Sequence, residues 1–346
     1  MTTTVVKMEG FDLTGVDEND LITRGFTAAP TANLATTGGK FGGGCIECTS
    51  VFGLGFAMPT IPLYVCVTVW MKAPATLVKT DMITLSNIEN AIYHSENYDH
   101  TTLHYSLNGS ITLEHPGGNI AGTSAIGVIL PDTWHHIELR CYCSGAGTCQ
   151  VYVDGVLALD IDGDFQAGAG EFMTVLLMGG DGGTVSPGNT FDDLIIREDG
   201  VSFPALLGAH RIHTLLPSAD TAQADWTGTY ADIDDPLGAF ADGDTTYIST
   251  TTLNGKSEFA VGDLPVSPTT VHAMQTSIVA KKTDANAKGV TAYVKHSTSI
   301  GSGTEFSAAD SVYGAQIDIH ELNPNGSVAW TETTINAMLL GVEITT

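Results

Sequence analysis

Three kinds of side chain in this sequence could do chemistry: closely spaced carboxylates, paired histidines and clustered cysteines. Carboxylates come first, because the chain holds 39 Asp and Glu against 13 Lys and Arg. The run Asp160-Ile161-Asp162-Gly163-Asp164 would put Asp160 and Asp162 on one face of a strand, with Asp164 in the turn that follows. Oxygen ligands at alternate positions suit a hard cation such as Ca2+, but the run lacks the later Glu that completes an EF-hand loop. Two such acids could also act as general acid and base. Asp232-Ile233-Asp234-Asp235 and Asp242-Gly243-Asp244 carry the same weaker potential. A solvated turn is the commoner outcome, so no cofactor or metal is expected, and Ca2+ is the one ion whose chemistry fits.

His135 and His136 are adjacent, so on a strand they point to opposite faces and cannot share a metal; His210 and His213 also differ in face if extended. All four read as structural. Six cysteines lie in the first half: Cys45, Cys48, Cys66, Cys141, Cys143 and Cys149. Cys45-x-x-Cys48 has no second pair to complete a zinc ribbon. Three outcomes stay open: buried reduced thiols, a Cys143–Cys149 disulfide across a hairpin, or a metal site. No G-x-S-x-G elbow occurs, and Gly179–Gly183 is not followed by a helix carrying Lys-Ser/Thr, so nucleophilic hydrolysis and phosphate cradling lack an anchor. No catalytic residue is expected, and the chain reads as non-enzymatic. One stretch suits sugar stacking, AIYHSENYDHTTLHY, whose Tyr93, Tyr98 and Tyr105 lie among His94, Asn97 and His100.

The elements that would position these groups are strands. Short runs rich in Val, Ile, Thr and Tyr alternate with Gly, Asp, Asn and Pro, the pattern of sandwiches and barrels. Tyr64–Met71, Thr102–Leu107, Ser110–Glu114, Trp134–Cys143, Gln150–Val153, Val156–Ile161, Met173–Met178 and Phe191–Arg197 are expected strands. Ile137, Leu139 and Cys141 alternate with His136, Glu138 and Arg140, so one face of that strand is buried. Asp154-Gly155 is a strong two-residue hairpin signal. Further strands are expected at Arg211–Leu216, Thr246–Thr251, Ser257–Ala260, Val271–Lys281, Gly289–His296, Val312–His320 and Ala337–Ile344. A short helix is expected at Thr331–Ala337, capped by Thr331.

A length of 346 residues suggests two domains, 1–200 and 219–346, joined by a connector over 201–218. The net charge of −26 argues against nucleic acid, which needs basic residues to displace counterions, and against anionic membrane surfaces. No secretory signal is read at the N-terminus, and the longest apolar run, about Ile61–Met71, is too short to span a bilayer.

Four segments in order carry a resemblance. Lys40-Phe41-Gly42-Gly43-Gly44, the Trp70 strand, Trp134-His135-His136-Ile137-Glu138 with Val151-Tyr152-Val153-Asp154-Gly155, and Phe191-Asp192-Asp193-Leu194-Ile195-Ile196 are similar to motifs of concanavalin A-like, laminin-G-like jelly rolls. The resemblance covers about residues 8–200 and implies an all-β jelly-roll sandwich there. Hydrolases of that fold present paired Glu on one strand, and this chain has no such run. From Arg211 onward, Arg211–Pro217, Trp226, Gly243–Ile248, Phe259–Leu264, Val271–Gln275 and Trp330–Glu343 resemble C-terminal regions of tailed-bacteriophage virion proteins, implying a second β-sandwich. The resemblance implies a structural protein of the tail or capsid surface, made in the host cytoplasm. It would be homo-oligomeric, contact other virion proteins and, on the alternative reading, a host surface glycan.

Overall fold

The computed structural model of the chain describes residues 3–11, 25–27, 32–35, 37–49, 53–59, 62–87, 99–166, 173–180, 188–235, 244–283, 288–308 and 312–345. It divides into two compact units, Met1–Ile212 and His213–Thr346.

In the first unit the described strands are β1 (Thr4–Glu9), β2 (Phe26–Thr27), β3 (Ala32–Ala35), β4 (Cys45–Cys48), β5 (Leu54–Ala57), β6 (Tyr64–Lys72), β7 (Thr80–Ser86), β8 (Asp99–Tyr105), β9 (Ile111–His115), β10 (Asn119–Thr123), β11 (Trp134–Tyr142), β12 (Gly147–Val153), β13 (Val156–Gly163), β14 (Thr174–Leu177) and β15 (Asn189–Asp199). They form two antiparallel sheets. One runs β13-β12-β11-β6-β15-β4-β3 with β1 also on β15; the other runs β10-β9-β8-β7-β14-β5-β2. The core lies between them, where Val65, Val67, Val69 and Met71 of β6 and Ile137 and Leu139 of β11 meet Ile83, Leu85, Leu103 and Leu113 of the facing sheet. Each such side chain taken fully from water contributes about 1.5–3 kcal/mol. Asn189 ties the sheets together: its Oδ1 accepts from Tyr105 Oη at 2.9 Å, and its Nδ2 donates to the carbonyls of Asp81 and Met178.

The β12–β13 hairpin turns on Asp154 and Gly155, both at positive φ (52° and 79°), as a two-residue turn between right-twisted strands requires. Across the β11–β12 pair Cys141 and Cys149 lie directly opposite and are joined in a disulfide, so the sulfur partner of Cys149 is Cys141 and not Cys143. The reason is register: alternation sends Cys141 and Cys149 to the same side at one cross-strand position, whereas Cys143 lies past the end of the pairing. Cys45, Cys48, Cys66 and Cys143 are buried free thiols.

Residues 201–212, expected as connector and then strand, pack on the first unit without strand geometry. In the second unit Pro217–Ala224, Lys256–Val261, Leu339–Ile344, Gly289–His296 and Ser299–Ser302 pair in that order, with Met274–Ala280 and Gly314–His320 as a separate antiparallel pair. Thr246–Thr251 contributes only a bridge from Ser249 to Thr227. The helix Glu332–Asn336 begins as expected, with Thr331 Oγ1 accepting from Thr334 N. The chain is all-β, as its alternation and turn residues imply.

Candidate functional site

Strand alternation gives each sheet of the first unit an outward face, and both outward faces hold polar side chains that are nonetheless buried. In the seven-stranded sheet, Leu103 and Tyr105 of β8 enter the core, so Thr102 and His104 face outward. Register sets Asp81 of β7 beside His104 and Thr84 beside Thr102 on one flank. On the other flank it sets Thr112 of β9 beside His104 and Glu114 beside Thr102. Every one of Asp81, Thr84, Thr102, His104 and Thr112 is at most 4% exposed.

The contacts confirm one shared face. Thr84 Oγ1 donates to Thr102 Oγ1 at 3.2 Å, and Thr112 Oγ1 lies 3.1 Å from Thr123 Oγ1. Glu114 Oε1 lies 3.4 Å from His104 Nδ1 and 3.9 Å from Lys79 Nζ, so one carboxylate sits between an imidazole and an ammonium. Side-chain exposure rises from 5% at His104 through 13% at Glu114 to 47% at Lys79, which makes this the open edge of the cluster. Leu176 and Met178 form a small apolar group apart from the main core, and alternation against Val175 and Leu177 turns them to this same side. An imidazole backed by a carboxylate can take up and return a proton, and vicinal hydroxyls and carboxylates can bond a polyol.

The outward face of the eight-stranded sheet is closed by residues 201–212. Glu138, 1% exposed, accepts from Leu207 N at 2.9 Å, Gly208 N at 3.1 Å and Thr68 Oγ1 at 3.5 Å, and faces Arg197 Nη2 at 3.6 Å. Arg197 donates to Ala205 O and to Cys66 Sγ. Trp70 Nε1 donates to His210 O at 2.8 Å. The Lys40-Phe41 turn closes over the same tryptophan, with Lys40 Nζ 4.4 Å from its ring centre and Phe41 edge-on at 5.8 Å. His135 lies between Asp154 Oδ2 at 2.7 Å and Leu130 N, which donates to its Nε2, and His136 Nε2 lies 3.1 Å from His210 Nδ1.

Of the tyrosines expected to contact glycan, Tyr93 and Tyr98 lie outside the described residues. Tyr105 is a correction. It is fully buried and bonded to Asn189, because its place on β8 has the parity of Leu103 and turns the ring into the core. The described part of that stretch is β8 itself, and the residues it brings to the outward face are Thr102 and His104. Sequence reasoning passed over His104 and Glu114, ten residues apart; the signal was the hairpin turn at Ser106–Ser110, which fixes their register.

Asp160 and Asp162 share a strand face, held by Gln150 Nε2 at 3.2 Å and Thr148 Oγ1 at 2.6 Å; Asp164 Oδ1 accepts from Gln166 N. Asp162 and Asp164 line an open cavity of about 390 Å³ with Gly145, Ala146, Gly147 and Gly163. Asp232 caps a short turn through Thr229, and Asp244 pairs with Lys281 and Tyr313. Among the described residues no group of three or more His, Cys, Asp or Glu is gathered as for a metal ion. Burial pushes the Cys45 thiol up to about 11 and those of Cys48 and Cys143 up to about 12, which keeps them protonated at neutral pH.

No known protein family and no curated protein sequence matches the chain. Solved structures do. An alginate lyase from Chlorella virus is 11% identical with a TM-score of 0.41, over 57% of this chain and 100% of the lyase. A carbohydrate esterase from the Shiga toxin-encoding bacteriophage phi24B is 12% identical with a TM-score of 0.39, over 57% of this chain and 100% of the esterase. The potassium-bound carbohydrate recognition domain of Emp46p is 10% identical with a TM-score of 0.36, over 54% of this chain and 94% of that domain. These are likenesses of jelly-roll fold. They also correct the expectation of a non-enzymatic chain: lyases and an esterase stand among the structures it resembles, so lack of a familiar motif does not establish lack of catalysis.

Proposed function

We propose that the first unit engages a neutral, hydroxyl-rich glycan through the outward face of its seven-stranded sheet. The observation that carries this reading is the gathering of Asp81, His104, Glu114, Thr84, Thr102 and Thr112 on three neighbouring strands. Buried titratable groups collected on one face mark functional sites more often than structural ones. Carboxylates, imidazoles and hydroxyls together offer the mixed acceptors and donors that sugar hydroxyls require.

Charge selects the class of glycan. Asp81 and Glu114 lie on the face. Lys79 is set against Glu114, and Arg140, Arg197 and Arg211 are engaged at Gln150, Ala205 and Phe41. A uronate or sialate would meet carboxylates here without a guanidinium to clamp it. A ligand enters from the Lys79–Glu114 edge, where side-chain exposure is greatest.

The setting we propose is the virion of a tailed bacteriophage, at the tail or capsid surface, with homo-oligomeric contacts and host glycan as partner. The order of the C-terminal segments supports it, as does a sandwich surface rich in carboxylates. His104 backed by Glu114 is the group that would move a proton in any turnover of the bound polymer.

The test is a panel of neutral and anionic polysaccharides, read for binding by the intact protein and for release of reducing or unsaturated ends. Binding of neutral polymers, lowered at least about tenfold by His104→Gln and Glu114→Gln, is expected. Binding untouched by both changes sinks the site, and capture of anionic polymers alone sinks the charge argument.

A further inference from the structure

The segment that closes the eight-stranded sheet is held at its end by two imidazoles facing each other. His210 Nε2 lies 2.6 Å from the carbonyl of Asp193, so that nitrogen carries hydrogen and donates. His210 Nδ1 then faces His136 Nε2 at 3.1 Å, with the Gly208 carbonyl at 3.4 Å. Two ring nitrogens at that separation hold one hydrogen between them. With both rings neutral, His136 donates and His210 accepts. One added proton still leaves a single hydrogen between the two nitrogens, whichever ring carries the charge, and the bond is kept. A second added proton sets two N–H groups head to head, and the contact is lost.

We propose that the His136–His210 pair is an acid-released clasp holding residues 205–212 on the sheet. The clasp tolerates one positive charge and not two. What it holds is specified by the neighbouring bonds. Leu207 N and Gly208 N donate to Glu138, Trp70 donates to His210 O, and Ile212 N donates to Asp193 Oδ1 at 3.0 Å. Undocking residues 205–212 uncovers Trp70, Glu138 and Arg197 and frees the chain that leads into the second unit.

The groups around the pair set the direction of its response. On its own strand His136 has Glu138 two residues on, and its backbone N–H donates to Asp154 Oδ1. From β6 the Trp70 ring packs edge-to-face at 5.1 Å. From β15 come the Asp193 carbonyl and Arg197, the latter beside Glu138. Lys40 and Arg211 lie over Trp70 and Phe41, and Asp192 Oδ2 accepts from Lys40 N. Burial lowers the His136 value below that of a free imidazole, and Glu138 and Asp154 offset part of this. A histidine lowered on docking holds the docked state at high pH. That preference weakens as pH falls below about 6.5 and is spent once the lowered value is passed.

The experiment is hydrogen exchange of the intact protein between about pH 7.5 and about pH 5, corrected for the intrinsic pH dependence of exchange. Amides of Leu207, Gly208 and Ile212 are expected to lose protection at least about tenfold on acidification, while the β8 amides Leu103 and His104 keep theirs. In His210→Gln the loss is expected to shrink below about twofold, because Glu138 and Asp193 remain and only the imidazole is gone. His136→Gln gives the same reading if the first variant does not fold. Protection that survives at about pH 5 in the parent protein overturns the proposal, as does an equal loss in the glutamine variant.

Discussion

Glu138, buried, and Glu114, partly buried, stand on the outward faces of the same sandwich, and their partners differ in kind. Glu138 is gripped by the backbone amides of Leu207 and Gly208, by Thr68 and by Arg197, and the two amides let go only when residues 205–212 undock as a segment. Glu114 lies between His104 and Lys79, two side chains whose charge or position can change. Backbone donors cannot move without moving the chain, so a carboxylate they clamp is part of the architecture. A carboxylate flanked by an imidazole and a half-exposed ammonium is one whose proton affinity a ligand can alter. Polar burial alone therefore does not mark a site; what marks it is whether the partners are main chain or titratable side chain.

The largest expected effect tests the architectural half. Glu138→Gln keeps the shape and removes the charge, leaving Arg197 buried without its carboxylate. We expect a loss of about 3–5 kcal/mol in unfolding free energy by urea titration. A loss under about 1 kcal/mol would place Glu138 with Glu114 and erase the distinction.

How much of this was legible in the sequence follows from the range of each interaction. The alternation His136-Ile137-Glu138-Leu139-Arg140 told which residues share a face, and Asp154-Gly155 told where the hairpin turns. That the polar face is itself covered was not legible, because its cover comes from Leu207, Gly208 and His210, about 70 residues later, through backbone amides that leave no side-chain pattern. Arg211–Leu216 has strand composition, yet Ile212 spends its amide on a carboxylate instead of a ladder. Pro217–Ala224 is a strand that its polar residues hid; it sits at a sheet edge, where proline is tolerated. For the candidate site, the stretch around His100 was noticed for its aromatics, whereas its described part supplies imidazoles and hydroxyls.

A middle-sized effect separates the two sides of β8. Tyr105 and His104 are neighbours in sequence and point to opposite faces. Tyr105→Phe removes the donor to Asn189 Oδ1, a buried acceptor. The expected cost is about 1–2 kcal/mol of stability, with glycan binding unchanged. A fall in binding without a fall in stability would return Tyr105 to the ligand face against its burial.

The smallest effect on stability is expected at Glu114→Gln, and it is the most informative. The amide is isosteric, and Lys79 is half exposed, so the ion pair it breaks is worth little in water. We expect under about 1 kcal/mol in urea titration, since His104 can bond the amide oxygen in place of the carboxylate. Binding should nevertheless drop, because the glutamine presents one acceptor and one donor where a sugar met two acceptors. If Glu114→Gln unfolds the protein as Glu138→Gln does, the outward face of the seven-stranded sheet is architecture too. The titratable cluster would then be held as tightly as Glu138, leaving no group free to answer a ligand.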